Sequence, residues 1–156
     1  MRRISLLAVC LFVACSPGDL SEDEVIAVGA EDAAMNAAIE EARATVGEFI
    51  EALQAQSPED MHFAVKAPIE DGDQVEHFWL TDVTYLDGVF TGRIDNTPQW
   101  VTNVAEGDLH EIRETDISDW MYFHDGVAVG NRTLVVLFDQ MPEEEVARVK
   151  QMLGWE

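Results

Sequence analysis

Between Asp32 and Gln56 the apolar positions Met35, Ile39, Ala42, Val46, Phe49 and Leu53 recur at steps of four and three, and Ile50 widens the stripe. That spacing predicts an amphipathic helix. Alanines at 33, 34, 37, 38, 42, 44, 52 and 55 raise its propensity, and Ser57-Pro58 ends it. The stripe covers only about three heptads, so docking onto the chain's own sheet is the expected use, ahead of a coiled-coil seam. Past Pro58 the period changes. His62 to Ala67 alternates, Val75 to Leu86 is rich in aromatic and β-branched residues, and Val89 to Ile94 follows the two-residue connection Asp87-Gly88, which is a hairpin signal. Residues 75 to 86 carry apolar side chains on both parities, so this strand is expected to be central, with one face receiving the helix. Asn96-Thr97-Pro98 breaks the run, Trp100 to Val104 reads as a further strand, Leu109 to Glu114 as another, and Asp125-Gly126 marks a turn after Met121 to Phe123. Thr133 to Phe138 is read as helix, capped by Asn131. Met141-Pro142-Glu143 then restarts a second short helix with Val146, Val149 and Leu153 as its buried stripe. The fold class expected is α+β: an N-terminal amphipathic helix packed on a bent antiparallel sheet, with short C-terminal helices.

The start of the chain has a different character. Met1-Arg2-Arg3 is basic, Ile4 to Val13 is an apolar run of about ten residues, and Ala14-Cys15 closes it before Ser16-Pro17-Gly18. This is the layout of a signal peptide, too short to span a bilayer, which takes about 20 residues. Phe12-Val13-Ala14-Cys15 resembles the bacterial lipobox, which implies cleavage before Cys15 and acylation of that residue. Cys10 would leave with the leader, so the mature chain keeps one cysteine and cannot form an internal disulfide. Ser16 stands where an Asp would resemble the inner-membrane retention signal, so the resemblance implies an outer-membrane destination facing the periplasm. The domain reading is therefore 1–14 signal peptide, 15–30 acylated N-terminus and tether, and 31–156 a single domain.

Charge narrows the partners. The chain carries 31 acids against 9 bases, net −22, and removing residues 1–14 takes away two arginines and no acid, leaving −24. Such a surface repels phosphate backbones and anionic headgroups, which excludes nucleic acid and leaves the lipid as the means of holding a membrane. The acid excess reads as a solvating coat, with an acidic docking face as its alternative.

From Phe63 onward the segments Phe63-Ala64-Val65-Lys66, Glu76-His77-Phe78-Trp79, Asp87-Gly88-Val89-Phe90-Thr91-Gly92, Asn96-Thr97-Pro98, Gly107-Asp108, Ile117-Ser118-Asp119-Trp120 and Gly130-Asn131-Arg132-Thr133 together resemble the bacterial YegJ-like family, a domain of unknown function numbered 2314. The resemblance covers about residues 62–145. It implies a compact α+β domain with a helical ending after Gly130, and it implies no activity and no catalytic residues.

The residues themselves offer little chemistry. His62, His77, His110 and His124 lack the two-to-five-residue spacing of compact metal sites, and no cofactor is expected. Trp79, Trp100 and Trp120 sit among polar residues, with Trp79 expected in the core. Asp119-Trp120 is expected to fix a turn, the carboxylate capping backbone donors and the indole packing inward. The reading is a lipid-anchored cell-envelope module that binds an envelope protein or small ligand without catalysis, with His77, Asn96, Trp100 and Asp119 as its contact region. The alternative is an envelope hydrolase or accessory enzyme using Glu76, His77 and Asp119, which requires those three side chains to converge in one cleft.

Overall fold

Two turns of positive φ organise the chain into hairpins. At Asp87-Gly88 (φ 49° and 83°) and again at Asp125-Gly126 (φ 50° and 80°), both central residues occupy the left-handed region that a tight hairpin requires, which Asp tolerates and Gly adopts freely. The computed structural model describes residues 33–155, together with the backbone of two short paired strands, Leu6–Leu7 (β1) and Val28–Gly29 (β2). Cys15 and most of the stretch read as leader and tether lie outside the described residues. The main sheet comprises β3 (Asp60–Asp71), β4 (Gln74–Leu86), β5 (Val89–Ile94), β6 (Leu109–Arg113), β7 (Asp119–His124) and β8 (Val127–Gly130), antiparallel throughout in the order β6-β5-β4-β3-β7-β8. With its helices this is an α+β architecture.

The stretch read as one helix over 32–56 is two, α1 (Ala33–Ala44) and α2 (Val46–Ala55). Thr45 causes the break: its hydroxyl donates to the Glu41 carbonyl at 2.8 Å, and its backbone leaves helical geometry at φ −107°, ψ 7°. The apolar stripe continues across the break, so Met35, Ala42 and Phe49 are all buried.

Side-chain alternation sorts the sheet into two covered faces. Val65 pairs with Leu80 and with Trp120, and Ala67 with Phe78, so these point one way and pack with Ala42 and Phe49 of the helices. The Trp120 indole N–H donates to the Ala42 carbonyl at 2.8 Å, tying β7 to α1. On the opposite face Lys66 is flanked by Trp79 on one side and Asp119 on the other, and Trp79, Ala64 and Met121 pack there with Ala128, Leu153 and Trp155. Trp79 is thus a core residue, 3 % exposed. Both central strands carry a one-residue bulge, at His62 in β3 and Asp82 in β4, each in the left-handed region.

Three local expectations are corrected. Trp100 to Val104 forms no strand; it is a loop whose amides bond to carboxylates. Asp119-Trp120 begins β7 and does not sit in a turn. Asn131 precedes α3 (Arg132–Leu137) but makes no side-chain cap; it is held at φ 55°, and the cap comes from Asp119. A short 3-10 turn, Phe138–Gln140, leads to α4 (Glu143–Met152), whose Val149 is buried while Val146 and Leu153 are half-buried. The tail then returns to the sheet: Ala128 N–H donates to the Leu153 carbonyl at 2.8 Å, and the Trp155 indole donates to the Ala128 carbonyl at 2.7 Å.

Candidate functional site

Five polar residues, Lys66, His77, Ser118, Asp119 and Thr133, are buried together along the β3-β4-β7 face. Burial of so many polar groups is tolerable only if each is hydrogen-bonded, and they bond largely to one another. Lys66 Nζ donates to Thr133 Oγ1 at 3.1 Å and lies 5.4 Å above the Trp79 ring. Thr133 Oγ1 donates in turn to Asp119 Oδ2 at 2.7 Å. The Asp119 carboxylate also accepts the backbone N–H groups of Thr133 (2.7 Å), Trp120 (2.9 Å) and Arg132 (3.2 Å). These include the orphan donors of the first turn of α3, so a strand residue supplies the helix cap.

Ser118 connects the second half of the row. Its backbone N–H donates to the Lys66 carbonyl at 2.8 Å, and its hydroxyl lies 3.2 Å from that carbonyl and 2.8 Å from His77 Nδ1. Burial first, then the positive charges of Lys66 and Arg43, hold the His77 pKa down to about 3, so the ring is neutral at ordinary pH. Arg43 reaches this end of the molecule from α1, its Nε donating to the Ile117 carbonyl at 2.7 Å.

Glu76 faces the other way. It pairs with Ile69, next to the Pro68–His77 pair, so the pleat places it on the face opposite His77. There it is fully buried and accepts N–H groups from Gln99 (3.0 and 3.1 Å), Trp100 (3.0 Å) and Val101 (3.3 Å). Asp71 accepts Thr102 N–H and Oγ1–H at 2.7 and 2.8 Å, which with the backbone bond holds its carboxyl below the usual range. Asn96 Oδ1 accepts the Trp79 N–H at 3.2 Å, while its buried Nδ2 makes no hydrogen bond. The loop 95–108 is therefore stitched to β3 and β4 by carboxylates and an amide in place of strand pairing.

The four residues of the expected contact region fall into two groups. Asn96 and Trp100 are half-buried on this loop, whereas His77 and Asp119 are buried in the polar row. Glu76, His77 and Asp119 do not converge, Glu76 being on the opposite face. Lys66 is the member that sequence reasoning passed over, although a lysine inside the apolar run Ala64-Val65-Lys66-Ala67 was a visible signal. Among the described residues, no three His, Cys, Asp or Glu side chains gather as a metal would require, and no helix is long and apolar enough to cross a membrane.

A six-stranded antiparallel sheet whose helical ending is capped from β7 defines an α+β domain with a buried polar row, and its sequence matches the family described as "Uncharacterized protein conserved in bacteria (DUF2314)" over residues 32–156. The chain belongs to that family. The match begins well before residue 62, so the helices α1 and α2 are part of the family domain. Among relatives, the chain is 39% identical to the uncharacterized protein YegJ of Escherichia coli strain K12 over 153 residues, covering 98% of this chain and 99% of that one. It is 38% identical over 96 residues to a putative ankyrin repeat protein of Neisseria meningitidis serogroup B, covering 58% of this chain and 37% of that longer one. No solved structure matches.

Proposed function

We propose that this protein is a lipid-anchored envelope module that recognises a partner and carries out no reaction. The observation that carries the non-catalytic half is the use made of the two buried carboxylates: Glu76 and Asp119 each spend their oxygens on backbone N–H groups. A carboxylate so engaged serves as a structural acceptor for the backbone, a use that competes with taking a proton from a substrate. The contact surface in this reading is the loop bearing Asn96 and Trp100, with His77 and Asp119 as the buried framework behind it. The occurrence of a related stretch within a longer putative ankyrin repeat protein supports a portable recognition module.

The anchoring half rests on Cys15 in its lipobox-like setting, with cleavage after residue 14, a tether over 15–30 and an outer-membrane location. The alignment with YegJ extends over 98% of the chain and so takes in this leader region. The hydrolase alternative draws on the 2.8 Å contact between Ser118 and His77. It needs Glu76 on the same side as His77, and the strand alternation opposes that.

Intact mass and membrane fractionation of the natively expressed protein, beside Cys15→Ala, test the anchor. A chain starting at Cys15 with acyl mass, released from membranes by the substitution, is expected. An unmodified chain cut elsewhere overturns it. For recognition, Trp100→Ala and Asn96→Ala are expected to remove a captured envelope component, and an unchanged set of captured components overturns the contact surface.

A further inference from the structure

The two edges of the sheet are treated differently. The β8 edge is closed by the chain's own tail through Ala128, Leu153 and Trp155. The β6 edge carries no such cover. Glu114 N–H bonds to the Gly88 carbonyl and the Asp108 carbonyl accepts the Ile94 N–H, both at 2.9 Å, so the even-numbered residues of β6 direct their backbone groups at β5. By alternation the N–H and C=O groups of Leu109, Glu111 and Arg113 point outward; among the described residues the Arg113 carbonyl accepts the Asp116 N–H at 3.0 Å, which leaves it a second lone pair, and no strand pairs with this edge. Leu109, Glu111 and Arg113 are exposed, Leu109 by 64 %.

We infer that this edge pairs with β6 of a second copy, antiparallel, about a two-fold axis at Ile112. A two-fold axis perpendicular to a continuous sheet keeps each residue on its own face, so only registers joining residues of like parity are allowed. Centred on Glu111, the pairing sets two carboxylates opposite each other; centred on Arg113, it opposes two guanidiniums. Centred on Ile112, it sets Glu111 against Arg113 of the second copy, and Arg113 against its Glu111. The same register places His110 opposite Glu114 on the inner face, twice. It also makes the outward-directed residues 111 and 113 the hydrogen-bonded pairs, as the ladder requires. Charges of alternating sign on a short edge ordinarily repel foreign strands. Here they leave one register in which Glu111 and Arg113 are each met by the opposite charge, and that self-complementarity selects the second copy as the occupant. The −24 charge of the mature chain opposes association at long range, so pairing needs salt that shortens screening to about 8 Å.

The test is sedimentation equilibrium of the full-length protein in detergent micelles at about 0.15 M salt, against a monomer mass of 17.4 kDa. Wild type is expected to reach the dimer mass with rising concentration. Glu111→Arg and Arg113→Glu are each expected to weaken dimerisation at least tenfold, and the double exchange Glu111→Arg with Arg113→Glu to restore it. Both residues are exposed, and circular dichroism checks that each variant folds. A wild type that stays monomeric overturns the proposal. So does a dimer indifferent to the reversals, or one that the double exchange fails to restore. A monomer in which the reversals instead abolish capture of another envelope chain overturns it too, assigning the edge to a foreign strand.

Discussion

Asp119 Oδ2 accepts both the backbone N–H and the hydroxyl of Thr133, each at 2.7 Å, so a strand residue fixes where a later helix begins. The relation makes the β7–α3 junction a tertiary cap. A local side chain at the capping position would hold the helix only to itself, whereas this one holds it to β7 of the main sheet.

Asp119→Ala leaves three backbone donors and the Thr133 hydroxyl without their acceptor inside the protein. The expected loss is roughly 2–4 kcal/mol in urea denaturation, at the upper end of helix-cap deletions because the site is buried. A loss within experimental error would show that other acceptors take over the first turn of α3.

Glu76→Gln keeps the shape but turns an NH2 group toward backbone N–H donors. A destabilisation of about 1–3 kcal/mol is expected. Amide exchange at Gln99, Trp100 and Val101 should accelerate while the β4–β5 hairpin keeps its protection. Unchanged protection in the loop would refute the role assigned to the carboxylate.

His77 makes stability depend on pH with a definite sign. The folded ring takes up its proton only at about pH 3, against 6.5 for the unperturbed group. Between those values the unfolded state binds more protons, so this contribution to stability is complete above pH 6.5 and is lost as pH falls. The slope in that window approaches about 1.4 kcal/mol per pH unit. Urea midpoints of wild type and His77→Gln, compared from about pH 4 to about pH 7, should show the variant falling less steeply. Parallel curves would contradict it.

Gly130→Ala tests a close approach. At φ +88° a side chain is strained already, and a Cβ there would overlap the Trp120 carbonyl oxygen and press against its indole at 2.7 and 2.9 Å. A loss above about 3 kcal/mol, or failure to fold, is expected. A wild-type thermal midpoint would mean that β7 and β8 separate more easily than their packing implies.

How much of this was legible in the sequence depended on whether local chemistry and tertiary use agreed. Asp87-Gly88 named its hairpin because turn geometry is local, and the two-parity apolar pattern of Val75 to Leu86 named the strand covered on both faces. The break at Thr45 was hidden because the apolar stripe runs through it unbroken. Trp100, Val101 and Val104 imitate a strand, yet Val101 is buried to anchor a loop whose amides go to Glu76. Pairing between a carboxylate and distant amides leaves no periodic trace. The buried row was half visible: Asp119 was recognised as a cap, but its client was not, since nothing in the spacing of Asp119 and Thr133 says that the two meet. Lys66 sits in an alternating strand where a lysine ordinarily marks the solvent side, and only the neighbouring Trp79 and Thr133 make it an inside residue.

The closure of the β8 edge by Leu153 and Trp155 has a consequence for biosynthesis. The strand that needs covering is made before the residues that cover it, so this edge of the sheet is finished only once Leu153 and Trp155 have folded back onto Ala128. Loss of both contacts would leave β8 an open strand edge and the seat of the Trp155 indole unfilled.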